Sequence, residues 1–222
     1  SGAGKTKYSK TWNKDIDADL VGVTALAKEL PGSRIKVLIL SECGLGPKSI
    51  EIVASTLAAA GLVRVDISGN SIGSDGGKAL ISVLPSSSIK SLKIGRSFEI
   101  STEKYEETAV DCSKQDFGPG EVIVLSWWLS TNATAGVVEV DISGNTIGSD
   151  GGKALVSVLP SSAIKSLKIG KSFEISTEKY EETVVDCSKQ DFGPGEVIVL
   201  SWWLSTEATT GVNRVDITGN QL

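Results

Sequence analysis

The side chains that could do chemistry in this chain are mostly carboxylates. Arg64-Val65-Asp66-Ile67-Ser68 alternates in the strand period, which sends Val65 and Ile67 inward and Arg64, Asp66 and Ser68 to solvent. If later strands keep that phase, the middle outward column runs Ile39, Asp66, Lys93, Asp111, Asp141, Lys168, Asp186, Asp216. Asp111 beside Asp141, and Asp186 beside Asp216, then bring like carboxylates to an inter-strand spacing of about 5 Å. Such a pair either raises one pKa, as an acid–base dyad requires, or recruits a cation such as Ca²⁺. Elsewhere the acids have lysine neighbours, and opposite charges on adjacent strands contribute roughly 0.2–1 kcal/mol each. Structural charge pairing is the favoured reading, with Lys93, Lys168 and Arg214 offsetting the like-charged pairs. No catalytic, metal-binding or cofactor-binding residue is assigned.

Other candidate chemistry is sparse. The chain has no histidine, and so lacks the commonest general base near neutral pH and the commonest transition-metal ligand. Ser1-Gly-Ala-Gly4-Lys5-Thr6 resembles the tail of a phosphate-binding loop but lacks the upstream glycine, the preceding strand and the following helix. Three coils of parallel sheet between Cys112 and Cys187 would place them about 14 Å apart, beyond the roughly 7 Å Cα limit of a disulfide. Cys43, Cys112 and Cys187 are all read as small buried apolar residues. In Trp127-Trp128 and Trp202-Trp203 one ring of each pair faces inward. Trp127 and Trp202 are the outward candidates, either filling space over a coil that lacks a helix or forming an exposed aromatic row for a partner or a sugar. Asn132-Ala-Thr134 is a glycosylation triplet, a weak signal because such triplets arise by chance, and the related segment has Glu207 in place of Asn132.

The elements that position these residues follow from repetition. Residues 62–136 and 137–211 align without a gap at a period of 75 and differ at nine positions, such as Ile81/Val156 and Arg96/Lys171. A third copy starts at Val212 and stops at Leu222. Self-similarity at a long fixed period takes precedence over a length-based domain count and implies one elongated core. A net charge of −5 with scattered lysines provides no basic stripe for nucleic acid. No apolar run approaches the roughly 18–20 residues of a membrane span. Ser1 in place of an initiator methionine points to a processed or excised piece of a longer chain, and no compartment is readable.

Within the period, Leu62-x-x-Val65-x-Ile67-x-x-Asn70-x-Ile72-Gly73 repeats Ile35-x-x-Leu38-x-Leu40-x-x-Cys43-x-Leu45-Gly46, 27 residues earlier. This resembles the leucine-rich repeat frame L-x-x-L-x-L-x-x-N/C-x-L. A helix is expected from Asp75 to Leu84, stopped by Pro85, so the 27-residue coil looks like the ribonuclease-inhibitor subtype. The next coil, from Ile89, is only 18 residues long. It has no room for a helix and is expected to return through a short polar loop. The third, near Val110, has 30 residues and an expected helix over Gly120 to Ser130. Leu26, Leu30 and Pro31 fall in phase with Leu80, Leu84 and Pro85, while the polar stretch near Trp12 to Ile16 reads as a degenerate cap.

The resemblance implies a right-handed α/β solenoid, with a parallel sheet on a concave face and helices plus loops on the convex face. It implies a single domain over 1–222: a cap-like partial repeat (1–34), one repeat (35–61), two super-repeats (62–136 and 137–211) and a partial terminal strand (212–222). It also implies a non-enzymatic scaffold that binds a protein partner through strand-borne Arg64, Asp66, Ser91, Lys93, Asp111, Glu139, Asp141, Ser166, Lys168, Asp186, Arg214 and Asp216. The alternatives are a filament subunit that self-associates end to end and an engineered or consensus array. Carbohydrate is a weaker expectation, and neither nucleic acid nor membrane insertion is expected.

Overall fold

The computed structural model describes residues 16–222. The phosphate-loop-like segment at Ser1–Thr6 and nearly all of the polar cap near Trp12 lie outside them. In chain order the elements are α1 (Val21–Glu29), β1 (Val37–Ile39), α2 (Pro47–Leu57), β2 (Arg64–Asp66), α3 (Gly73–Val83), β3 (Ser91–Lys93), β4 (Glu99–Ser101) and β5 (Ala109–Asp111). They continue with α4 (Pro119–Leu129), β6 (Glu139–Asp141), α5 (Gly148–Val158), β7 (Ser166–Ile169), β8 (Phe173–Ser176), β9 (Val184–Asp186), α6 (Pro194–Leu204) and β10 (Arg214–Asp216). Strands starting at Arg64, Ser91, Ala109 and Glu139 reproduce the spacings of 27, 18 and 30 residues. Strands and helices alternate in an α/β repeat, and each helix packs on the next from α1 to α6.

Each strand is short because both its ends are fixed locally. Inward residues such as Leu38, Val65, Leu92, Val110, Val140, Leu167 and Val185 are buried in one apolar cluster with the helices; full burial of such side chains contributes about 1.5–3 kcal/mol each. Beyond the strand, Asn145 ties its coil to the one before. Its Nδ2 donates to the carbonyls of Cys112 (2.8 Å) and Ile142 (2.9 Å), and its Oδ1 accepts from the Gln115 and Phe117 amides, both at 3.0 Å. Asn220 makes the same four contacts in its coil, and Asn70 the two to carbonyls and one from the Leu45 amide. The polar position of the repeat frame thus satisfies turn backbone that no sheet can reach.

The 18-residue coil departs from expectation. Instead of returning through a polar loop, the chain doubles back after β3, and β4 pairs antiparallel with it: Ser91 opposite Ser101, Leu92 opposite Ile100, Lys93 opposite Glu99. The second copy does the same with β7 and β8. The sheet is therefore broken into β1-β2-β3-β4, β5-β6-β7-β8 and β9-β10; within each piece the pairs other than these hairpins are parallel.

Two devices narrow the gap left by the missing helix. At their N-terminal ends α3 and α4 approach through glycines: a Cβ on Gly77 would lie 2.6 Å from the Gly120 carbonyl oxygen, and α5 and α6 meet likewise at Gly152 and Gly195. Further along, Trp128 occupies part of the space. Its indole N–H donates 2.6 Å to the Ser101 carbonyl on the outer edge of β4, and its ring meets Phe98 and Tyr105 edge to face. Trp127, which one reading of the sequence put over this gap, is half-buried and lines what remains of it.

The N-terminal coil is also irregular. Leu30 is buried in phase with Leu84, but Leu26, expected to match Leu80, is 37% exposed, and Ala27 is buried in its place. The outer helices show how neighbours decide burial. α4 and α6 have the same sequence, PGEVIVLSWWL. α4 lies between α3 and α5 and is buried almost all round, whereas α6 packs on α5 and leaves Ser201 exposed.

Candidate interaction surface

β2, β5, β6, β9 and β10 each end in Asp-x-Ser or Asp-x-Thr, and each of these aspartates folds back on its own turn. Asp66 Oδ1 accepts from the Ser68 amide (3.0 Å) and hydroxyl (2.6 Å), and Asp141 from the Ser143 amide (2.9 Å) and hydroxyl (2.6 Å). Asp111, Asp186 and Asp216 accept from the amides of Ser113, Ser188 and Thr218. These are Asx turns, in which the carboxylate replaces a backbone acceptor. Two outward assignments change as a result: Asp66 is 8% exposed and Ser68 7%, both buried rather than open to solvent.

The same contacts decide the electrostatics. Asp111 faces Asp141, and Asp186 faces Asp216, in the expected register. Like-charge repulsion does not raise Asp111, Asp186 or Asp216. The Ser113 amide, then its hydroxyl, hold the Asp111 carboxyl below the ordinary value, and Lys168 assists. Asp186 is lowered by the Ser188 hydroxyl and amide despite the neighbouring Asp216 charge. Asp216 is lowered by the Thr218 hydroxyl and amide, with Arg214 assisting. Burial would raise Asp66, but Ser68, Lys93 and Arg214's counterpart Arg64 outweigh it. Hydrogen bonds to the charged form outweigh like-charge repulsion at these sites.

The outward column is interrupted at each hairpin. Lys93 and Lys168 face Glu99 and Glu174, not Asp111 and Asp186. In the first sheet the charges close on one another: Lys93 lies 3.7 Å from Asp66, Arg64 reaches over β3 to Glu99 at 3.1 Å, and the Ser91 hydroxyl donates to Glu99. In the second, Glu139 occupies the place of Arg64, and Glu174, which accepts from Ser166 Oγ at 2.6 Å, the place of Glu99. Among the described residues Asp111, Glu139, Asp141 and Glu174 have no ion pair within 4 Å, and Lys168 is the one cation on that sheet's outward face. Arg214 lies 3.5 Å from Asp216 on the last strand.

The sequence places Ile39 in the outward column, but neither it nor Val37 is among the surface residues expected above. Val37 (51% exposed) and Ile39 (64%) project from β1 beside Arg64 and Asp66. Their alternation with buried Leu38 was a usable signal. Glu99 and Glu174 were missed because the hairpin strands were taken for loop.

The remaining candidates lie elsewhere. Trp127 and Trp202 are half-buried, not an exposed row. Trp127 lines a cleft of about 470 Å³ with Leu84, Ile89, Thr102 and Asn132. Asn132 is exposed, but the Thr134 hydroxyl of its triplet is buried and donates to the Trp128 carbonyl at 3.0 Å. Thr209 makes the same contact with Glu207 in place of the asparagine, so this threonine has a structural role independent of any glycan. Cys112 and Cys187 are buried; burial pushes both thiols up, Cys187 to about 11. Cys43 is exposed, contrary to expectation, because it belongs to the first strand-bearing coil among the described residues.

The repeat frame is also found by comparison: a leucine-rich repeat family model matches residues 62–80 and 137–156. The two matches support a leucine-rich repeat protein. They fall on equivalent strand-to-helix segments, β2 into α3 and β6 into α5. Leucine-rich repeats generally mediate protein–protein interaction and are generally non-enzymatic. No curated protein matches the chain.

Proposed function

We propose that the chain is a non-enzymatic scaffold that takes a basic protein partner on its outward strand face. The reading includes a right-handed solenoid of ribonuclease-inhibitor-like repeats, with the strands concave and a single domain over 1–222 built from super-repeats 62–136 and 137–211. One observation carries the choice of partner. At equivalent positions the first sheet neutralises itself through Arg64–Glu99 and Asp66–Lys93, whereas the second presents Asp111, Glu139, Asp141 and Glu174 against Lys168 alone. Unpaired charge on rigid strands steers and orients a complementary surface. Arg64, Ser91, Asp186, Arg214 and Asp216 then frame the contact, and Val37 and Ile39 supply its apolar part.

Glu139→Arg tests this by restoring the first sheet's cross-strand pair with Glu174. Affinity capture from the source organism, with wild type and variant at low and high salt, should recover basic proteins on wild type alone, and less of them as salt rises. The same proteins on both baits, insensitive to salt, would remove the basis of the reading.

A further inference from the structure

The cleft at Trp127 exists because the 18-residue coil contributes no helix. It lies between the turn after α3 and the end of α4, and its volume of about 470 Å³ falls within the roughly 300–1,000 Å³ typical of ligand sites. It shares no residue with the strand-face charges, so it stands or falls separately from the scaffold reading.

Its chemistry is selective. None of its lining side chains is charged, so it offers nothing to a phosphate, a metal ion or a charged peptide. Its hydroxyls have already committed their protons: Ser87 Oγ donates to the Leu84 carbonyl (2.9 Å), Thr102 Oγ1 to that of Ile89 (3.3 Å) and Thr131 Oγ1 to that of Trp128 (2.7 Å). Lone pairs remain on each, so these hydroxyls act as acceptors, while the Asn132 amide and the Trp127 indole N–H supply donors. Asn132 at the lip makes no side-chain hydrogen bond among the described residues. A proline-rich peptide brings carbonyls for those donors but no N–H for the hydroxyl lone pairs, whereas a sugar hydroxyl both donates and accepts. The matching ligand brings hydroxyl donors at its rim and a flat C–H face for the half-buried indole. A gluco-configured pyranose, with equatorial hydroxyls and axial C–H bonds on both faces, has that form.

We propose that this cleft binds a neutral β-linked gluco-configured oligosaccharide, stacked on Trp127 and hydrogen-bonded by Thr102, Thr131 and Asn132. The second copy supplies Trp202, Thr206 and Glu207 at the equivalent positions. There the carboxylate in place of Asn132 is a stronger acceptor for paired hydroxyls.

The test is a titration of protein made in a bacterial host, so that Asn132 carries no glycan, with cellohexaose and separately with octaproline, followed through the indole N–H resonances. Cellohexaose should move the Trp127 and Trp202 signals, and octaproline should move neither. Trp127→Ala should weaken the first site about tenfold, the scale of one lost aromatic stacking contact, with Trp127→Phe intermediate. The wild-type indole shifts decide the matter even if the alanine variant does not fold. The proposal is overturned if cellohexaose leaves Trp127 unmoved at millimolar concentration, if octaproline binds in its place, or if binding survives loss of both Trp127 and Trp202.

Discussion

Replacing Asn145 by alanine isolates the device that ties one coil to the next. The side chain makes four hydrogen bonds, to the Cys112 and Ile142 carbonyls and from the Gln115 and Phe117 amides, all at 2.8–3.0 Å. At about 1 kcal/mol net for each such bond, Asn145→Ala should cost about 4 kcal/mol. That is a large share of the roughly 5–15 kcal/mol that stabilises an ordinary domain. Asn145→Asp keeps an acceptor for both amides but turns its second oxygen toward two carbonyls, so it should cost at least half as much. Asn220→Ala removes the same four contacts from the last coil, where Val215 is already partly exposed. Its loss should open that coil locally and cost less globally. Urea unfolding monitored by tryptophan fluorescence measures all three, with an unchanged slope showing that the unfolding unit is the same. A shift below about 1 kcal/mol for Asn145→Ala would refute the argument that these bonds hold the coils together.

Glycine substitutions should divide by neighbour. Gly22→Ala, with nothing within 4 Å of the new methyl, should stabilise α1 by about 1 kcal/mol. Gly77→Ala, directed at the Gly120 backbone, should lose that gain to about 1–3 kcal/mol of overpacking; equal thermal shifts for the two would contradict the close approach. Glu121 is buried, and burial raises its carboxyl above the ordinary 4.5 although the Gly118 amide donates to it at 3.0 Å. Because the folded pKa is the higher one, stability is complete below pH 4.5 and falls as pH rises through the folded value. Glu121→Gln should therefore match wild type in acid and exceed it at neutral pH in denaturant titrations; parallel pH profiles would count against this. Cys43 should react with a thiol reagent in the native state, and Cys112 and Cys187 only on unfolding; one fast thiol and two slow ones is the expected count.

Much of this was legible in the sequence where the physics is local and repeated. The anchors Leu62, Val65 and Ile67 recur at fixed spacing because each strand must present the same inward residues to the same core, and all three are buried. Pro47, Pro119 and Pro194 begin their helices where a missing amide costs nothing. The β3–β4 hairpin escaped notice although Phe98-Glu99-Ile100-Ser101 alternates after a glycine turn, because the frame was read as one strand per coil. The outward aspartates were visible. Their commitment to Asx turns was not inferred, since the serine two residues on was treated as another surface group. What α4 and α6 bury could not be read from their shared sequence, because it depends on which helices flank them.

The asparagine contacts also order events in time. Gln115 and Phe117 wait for an acceptor that lies 30 and 28 residues later in the chain. As the polypeptide leaves the ribosome, the coils that carry β1, β5 and β9 therefore emerge unfinished, and each is completed only by its successor. A cut made between two turns removes a clasp from the one that stays behind, so truncations should be placed after an asparagine loop and never just before one.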